Sequence, residues 1–119
     1  MARFAIGSQV VGSAEVVEDP YDDRPWHEGT YGIIVGNHVS TQRANGTWAR
    51  YLTVRTMVDG EMVHVSVDSY EVTVLDGPKG YVSDAEQLEA ELAYREAQLN
   101  SLRACTDLWK AWHPTVGIG

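Results

Sequence analysis

Six carboxylates and one arginine fall within the fourteen residues Glu15–Glu28, interleaved with Tyr21 and Trp26 and bent by Pro20 and Pro25. Clustered carboxylates attract cations. Flat aromatic faces receive prolines or cations with little loss of side-chain freedom, so this stretch suits a basic or proline-rich peptide. The competing structural reading is a solvated loop whose Tyr21 and Trp26 fold back on the domain. Asp19, Asp22, Asp23 and Glu28 also offer oxygen ligands to a hard cation. Their spacing lacks the glycine and the alternation of an EF-hand loop, so no metal is assigned. His27, His38, His64 and His113 have no partner at zinc-ligand spacing.

Catalytic grammar is absent. Hydrolysis needs a nucleophile, a base and an orienting group, and no nucleophile elbow, phosphate-cradling loop or zinc-binding His-Glu pair occurs in the sequence. Gly29, Gly32 and Gly36 match neither a dinucleotide nor a triphosphate motif and are assigned to turns and bends. Cys105 is the only cysteine, so an intrachain disulfide is excluded, and its place on a helical stripe argues for packing. The expectation is a non-enzymatic chain with no cofactor.

With 17 acidic and 9 basic residues the net charge is −8, which disfavours direct nucleic-acid binding and anionic lipid. The basic residues are dispersed. No apolar run is long enough to span a membrane and none has the form of a signal peptide, so a cytoplasmic location is expected: the host cytoplasm, or the virion if the chain is phage-encoded. Seven Arg against two Lys, with abundant Ala, Gly and Val, is a bias associated with GC-rich bacteria and their phages.

Two elements of different rhythm must position these residues. The 119 residues suffice for a single domain. From Phe4 to Leu75, short β-branched runs predict strands at 8–17, 30–36, 48–58, 61–67 and 72–75. Val63, Val65 and Val67 alternate with Met62, His64 and Ser66, which sets one face inward and one outward. Asp59-Gly60 predicts a tight hairpin and Asn45-Gly46 a second turn. Gly77-Pro78-Lys79-Gly80 ends the strands, within a linker over 77–82. An amphipathic helix is predicted over 83–113, opened by a Ser83/Glu86 capping box and halted by Pro114, with 114–119 as a tail. Leu88, Leu92, Leu99, Leu102 and Trp109 share one face, with Trp112 trailing and Arg95 interrupting the seam. At about 1.5 Å per residue such a helix outruns a small barrel, so Leu92, Leu99, Leu102, Trp109 and Trp112 are assigned to docking or to self-association into a homo-oligomer.

Gly32-Ile33-Ile34-Val35 and the run Val65-Ser66-Val67-Asp68-Ser69-Tyr70-Glu71-Val72-Thr73-Val74 resemble the second strand and the ending of the Src-homology-3-like small barrel. Asp68-Ser69-Tyr70-Glu71-Val72 is similar to the 3₁₀ turn that joins that fold's last two strands, and Trp48-Ala49-Arg50 to the start of its third. The resemblance covers roughly residues 6–76. It implies a five-stranded barrel followed by the C-terminal helix, with Glu15–Glu28 as an acidic specificity loop. The Ala-Leu-Tyr-Asp-Tyr opening of the peptide-binding members is missing, no proline precedes Ser69, and the fold hosts many functions.

The expected function is a binding module, a phage or bacterial accessory protein that engages another protein through Tyr21, Asp22, Asp23, Trp26, Trp48 and Tyr70, countering a host defence or regulating a host factor. Two alternatives stand beside it. One is a structural virion head or connector component; the other is an acidic nucleic-acid mimic that displays Asp84, Glu86, Glu89, Glu91 and Glu96 to a DNA-binding enzyme.

Overall fold

The computed structural model describes residues 4–16, 20, 23–38, 41–42 and 45–112, with Thr41, Asp76 and 101–112 as backbone alone. The strands are β1 (Ser8–Gly12), β2 (Tyr31–Asn37), β3 (Thr41–Gln42), β4 (Trp48–Ala49), β5 (Tyr51–Val58), β6 (Glu61–Asp68) and β7 (Val72–Pro78). A 3₁₀ turn occupies Ser69–Glu71, and one helix, α1, runs from Asp84 to Trp112. The chain is therefore mainly β with one C-terminal helix.

Five strands form one antiparallel sheet in the order β6-β5-β2-β1-β7. The tightest connection is the one predicted at Asp59-Gly60, where both residues have positive φ (51° and 84°) and Val58 faces Glu61. Positive φ at both central positions gives the turn a twist that matches that of the strands, and aspartate with glycine tolerates it best. The sheet is open: β6 and β7 are its two edges, and among the described residues no ladder joins them. The closed barrel expected from sequence is corrected to that extent.

Three strand boundaries also differ. The first strand stops at Gly12, because a turn at Ser13–Glu15 redirects the chain and sends Val16 back into the core. The run 48–58 divides at Arg50. There β4 leaves the large sheet to pair with β3, and the Arg50 guanidinium bonds Asn37 Oδ1 at 2.7 Å. The last strand continues to Pro78, since an edge strand tolerates a residue without an N–H.

One apolar cluster takes residues from all five strands: Val10, Ile34, Leu52, Val54, Val65, Val67 and Val72, joined by Val16 and Trp26. Val65 and Val67 lie inside while Met62, His64 and Ser66 are exposed, which is the predicted alternation of β6. Glu71 closes this core at one end. Its carboxylate accepts the Arg24 guanidinium at 2.8 and 3.1 Å and the Asp68 N–H at 3.0 Å, and its carbonyl accepts the Trp26 indole N–H at 3.1 Å. A buried carboxylate held this way gives the 3₁₀ turn and the preceding loop one common anchor.

α1 lies on the outer face of β2, β5 and β6, on the side away from the apolar cluster. Its first turn is capped by Ser83 Oγ, which accepts the Glu86 N–H at 3.1 Å. The Glu86 carboxylate does not complete a reciprocal box. It reaches the sheet instead, accepting Arg55 Nη1 at 2.7 Å and pairing with His64 Nε2 at 2.8 Å. One turn on, Ala90 is buried over Gly36, where an added Cβ would stand 3.1 Å from the Ala90 methyl and 2.9 Å from the His38 ring. Only glycine permits so close an approach. Glu91 pairs with buried His38 at 2.8 Å, and the Tyr94 ring stacks on the His38 imidazole with centroids 4.2 Å apart. Beyond Tyr94 every described residue, Arg95–Asn100, is exposed, so the helix has left the sheet.

Candidate binding groove

The helix covers only part of the outer sheet face. On the uncovered part Met62 faces Met57 across β6 and β5, and Val11 faces Tyr31 across β1 and β2. The Ile33–Arg55 register sets Tyr31 beside Met57, so these side chains form one row across four strands. Ile33 and Leu75 widen it into a groove of about 600 Å³. Tyr31, Met57, Met62 and Leu75 are between 49% and 70% exposed. Large apolar side chains adjacent in such numbers form one contiguous patch rather than scattered exposure.

The groove's chemistry is apolar by construction. Arg55 is the cation on its wall, and that guanidinium is already occupied by Glu86 at 2.7 Å and by the Tyr81 carbonyl at 3.2 Å. Thr56 donates its hydroxyl to the Tyr31 carbonyl at 2.7 Å, which holds the strand that carries the exposed ring. Methionine is unbranched and polarizable, so Met57 and Met62 can reshape to fit an apolar or aromatic partner side chain.

The residues expected to bind are distributed differently. Trp26 is 1% exposed and belongs to the core, so its assignment to the binding surface is corrected: the indole is large enough to fill the sheet's interior and finds its hydrogen bond there. Trp48, by contrast, is 68% exposed, and Asp23 and Tyr70 are exposed too. Ser69 donates to the Arg50 carbonyl at 2.8 Å, which brings the backbone of the 3₁₀ turn beside the strand carrying Trp48. Arg24, bonded to Ser66 and Glu71, brings Asp23 to the same end. Tyr21 and Asp22 lie outside the described residues. So do the side chains of Leu102, Trp109 and Trp112, whose backbone is helical.

Sequence reasoning passed over Tyr31, Met57, Met62 and Leu75. A signal for the methionines was present: Met62 shares the outward parity of His64 and Ser66, and Met57 that of Arg55, so two long apolar residues flank the Asp59-Gly60 turn on the solvent side. It also assigned no partner to His38, His64 or Glu91. Hydrogen bonding from His38 lowers the Glu91 carboxyl most; burial opposes it, and the charges of His38 and Arg95 add smaller lowering effects. Burial raises the Tyr94 phenol. Two of the five carboxylates proposed to imitate nucleic acid, Glu86 and Glu91, are thus spent on contacts within the chain. No described helix is long and apolar enough to cross a membrane, and among the described residues no three His, Cys, Asp or Glu converge on a point that would hold a metal ion.

Comparison with protein-family models, with curated proteins and with solved structures finds no match to this chain.

Proposed function

We propose that this chain is a non-enzymatic binding module that receives an apolar segment of another protein in the Tyr31/Met57/Met62/Leu75 groove. The single observation that carries the proposal is this contiguous exposed apolar row on a sheet whose interior is already filled. Its wall cation is neutralised, so the groove favours an uncharged anchor, and its openness across four strands suits a peptide more than an enclosed small molecule. The proposal includes membership of the Src-homology-3-like small-barrel class. The strand order β6-β5-β2-β1-β7 and the 3₁₀ turn before the last strand support that assignment. The acidic and aromatic end formed by Asp23, Trp48 and Tyr70 is the second reading, supported by the exposure of all three.

A displayed random-peptide library selected on the wild-type chain tests both. The expected result is enrichment of peptides with an aromatic or branched apolar anchor. Their affinity should fall at least tenfold, about 1.4 kcal/mol, on Met57→Asp combined with Met62→Asp. Trp48→Ala should leave it unchanged. Peptides indifferent to the methionines but lost with Trp48→Ala or Asp23→Asn would move the site to the acidic end. No enrichment on a folded wild-type chain would remove the proposal.

A further inference from the structure

The face that α1 turns to the sheet is polar and small: Glu86, Ala90, Glu91 and Tyr94. At about 100° per residue, Leu88, Leu92 and Leu99 lie roughly 160–200° around the helix from Ala90. All three are 53–59% exposed. The apolar stripe read from the sequence is therefore turned away from the domain, along a helix that continues past the sheet after Tyr94. A helix in this position has solvent on the very face that its sequence makes apolar.

We propose that this face is occupied by the α1 helix of a second copy of the chain, packed antiparallel. In heptad terms Ala85, Leu92, Leu99 and Thr106 take a positions, and Leu88, Arg95, Leu102 and Trp109 take d positions. The flanking e positions are Glu89, Glu96, Arg103 and Lys110, acidic in the first half of the helix and basic in the second. Antiparallel packing sets a against d of the partner. With Leu99 against a partner Leu102 and Leu92 against a partner Trp109, the e positions meet as Glu96 with Arg103 and Glu89 with Lys110. Arg95, the one charge in the seam, then meets Thr106.

Parallel packing in register gives the opposite. Arg95 would face its own copy in the core layer, Glu91 would face Glu96, and Asp84 would face Glu89. Like charges at these positions are destabilising. The charge reversal along one helix thus selects both the occupant, a chain with the same helix, and the direction. Arg95 is prepared for the seam by its ion pair with Glu91 at 3.2 Å.

Light scattering on the full chain tests this, with a dimer of the 13.2 kDa protomer expected. Leu99→Lys should halve the apparent mass while leaving the urea midpoint of the sheet in place, because Leu99 contributes nothing to the core. Arg103→Glu with Lys110→Glu should also give monomer, and adding Glu89→Lys with Glu96→Arg should restore the dimer. The antiparallel register also places position 98 beside Cys105 of the partner. A Gln98→Cys chain should therefore be captured as a covalent dimer by a short bismaleimide, and Cys105→Ser should abolish capture. A wild-type chain that stays monomeric across a dilution series overturns the proposal. So does a dimer that survives Leu99→Lys, or a cross-link that survives Cys105→Ser.

Discussion

Glu86 is the residue on which the position of α1 turns, and its removal has a calculable effect. Glu86→Ala deletes two charge-assisted contacts, to Arg55 at 2.7 Å and to His64 at 2.8 Å. Hydrogen bonds to charged groups contribute about 1.5–3 kcal/mol when well buried. These are partly reached by water and Arg55 keeps the Tyr81 carbonyl, so about 1 kcal/mol each is the appropriate scale. The sum, about 2 kcal/mol, corresponds to a roughly thirtyfold increase in the population with the helix lifted from the sheet. Alanine is the best helix former, so the substitution adds no helix penalty of its own. A helix lifted from the sheet opens because isolated helices are marginal in water, an event distinct from unfolding of the sheet. Amide hydrogen exchange separates the two events: protection should fall thirtyfold in residues 84–94 and remain unchanged in β2 and β5. Asn100→Ala, an exposed polar side chain on the same helix outside the leucine stripe and its flanking charges, is the control and should move protection by less than a factor of about 2–3. Equal exchange in the two variants would refute the assignment of Glu86 as the clasp.

Three other outcomes follow from the same geometry. Trp26→Ala should cost about 3–5 kcal/mol in urea unfolding, whereas Trp48→Ala should stay within about 0.5 kcal/mol, because only the first empties the core. Glu71→Ala should cost about 3–5 kcal/mol by leaving the Arg24 guanidinium without its bidentate partner, and the combined Arg24→Met, Glu71→Met chain should recover part of that loss. Glu91 has a carboxyl held below its ordinary 4.5, so its contribution to helix docking is complete above that value and disappears as pH falls through the lower folded value. Glu91→Gln should accordingly remove the part of the acid-induced loss of exchange protection in residues 84–94 that falls below about pH 5.

Local chemistry made much of the fold legible in the sequence. The Asp59-Gly60 hairpin, the valine alternation of β6 and the start of α1 each depend on residues within a few positions of one another, and each occurs where the spacing put it, while the 3₁₀ turn at Ser69–Glu71 lies where the resemblance of Asp68–Val72 implied it. What escaped was decided at long range. Its acidic neighbours leave Trp26 open to both readings, a surface ring or one folded back on the domain, and a cavity built by five strands together with the carbonyl of Glu71, forty-five residues away, draws it inside. Arg50 breaks a continuous β-branched run because Asn37 waits beside it. The hairpin parity puts Met57 beside Met62, but nothing local adds Tyr31 and Leu75 to them until the other strands are in register. The orientation of α1 was unreadable for a related cause: the partners that fix it, His38, Arg55 and His64, sit on the sheet, and nothing in the helix sequence points to them.

The notch at Gly36 has a mechanical meaning. A leucine-faced helix lying on a sheet would ordinarily roll until its greasy side was down. Here the Ala90 methyl drops into a gap that no other residue type would leave, and carboxylates one turn before it and one residue after it engage fixed cationic or imidazole groups on either side. Sliding by a turn or rolling by one position would lift all three out together. The sheet thus behaves as an index plate that stops the rod at one angle, and the angle it selects keeps the adhesive side facing outward.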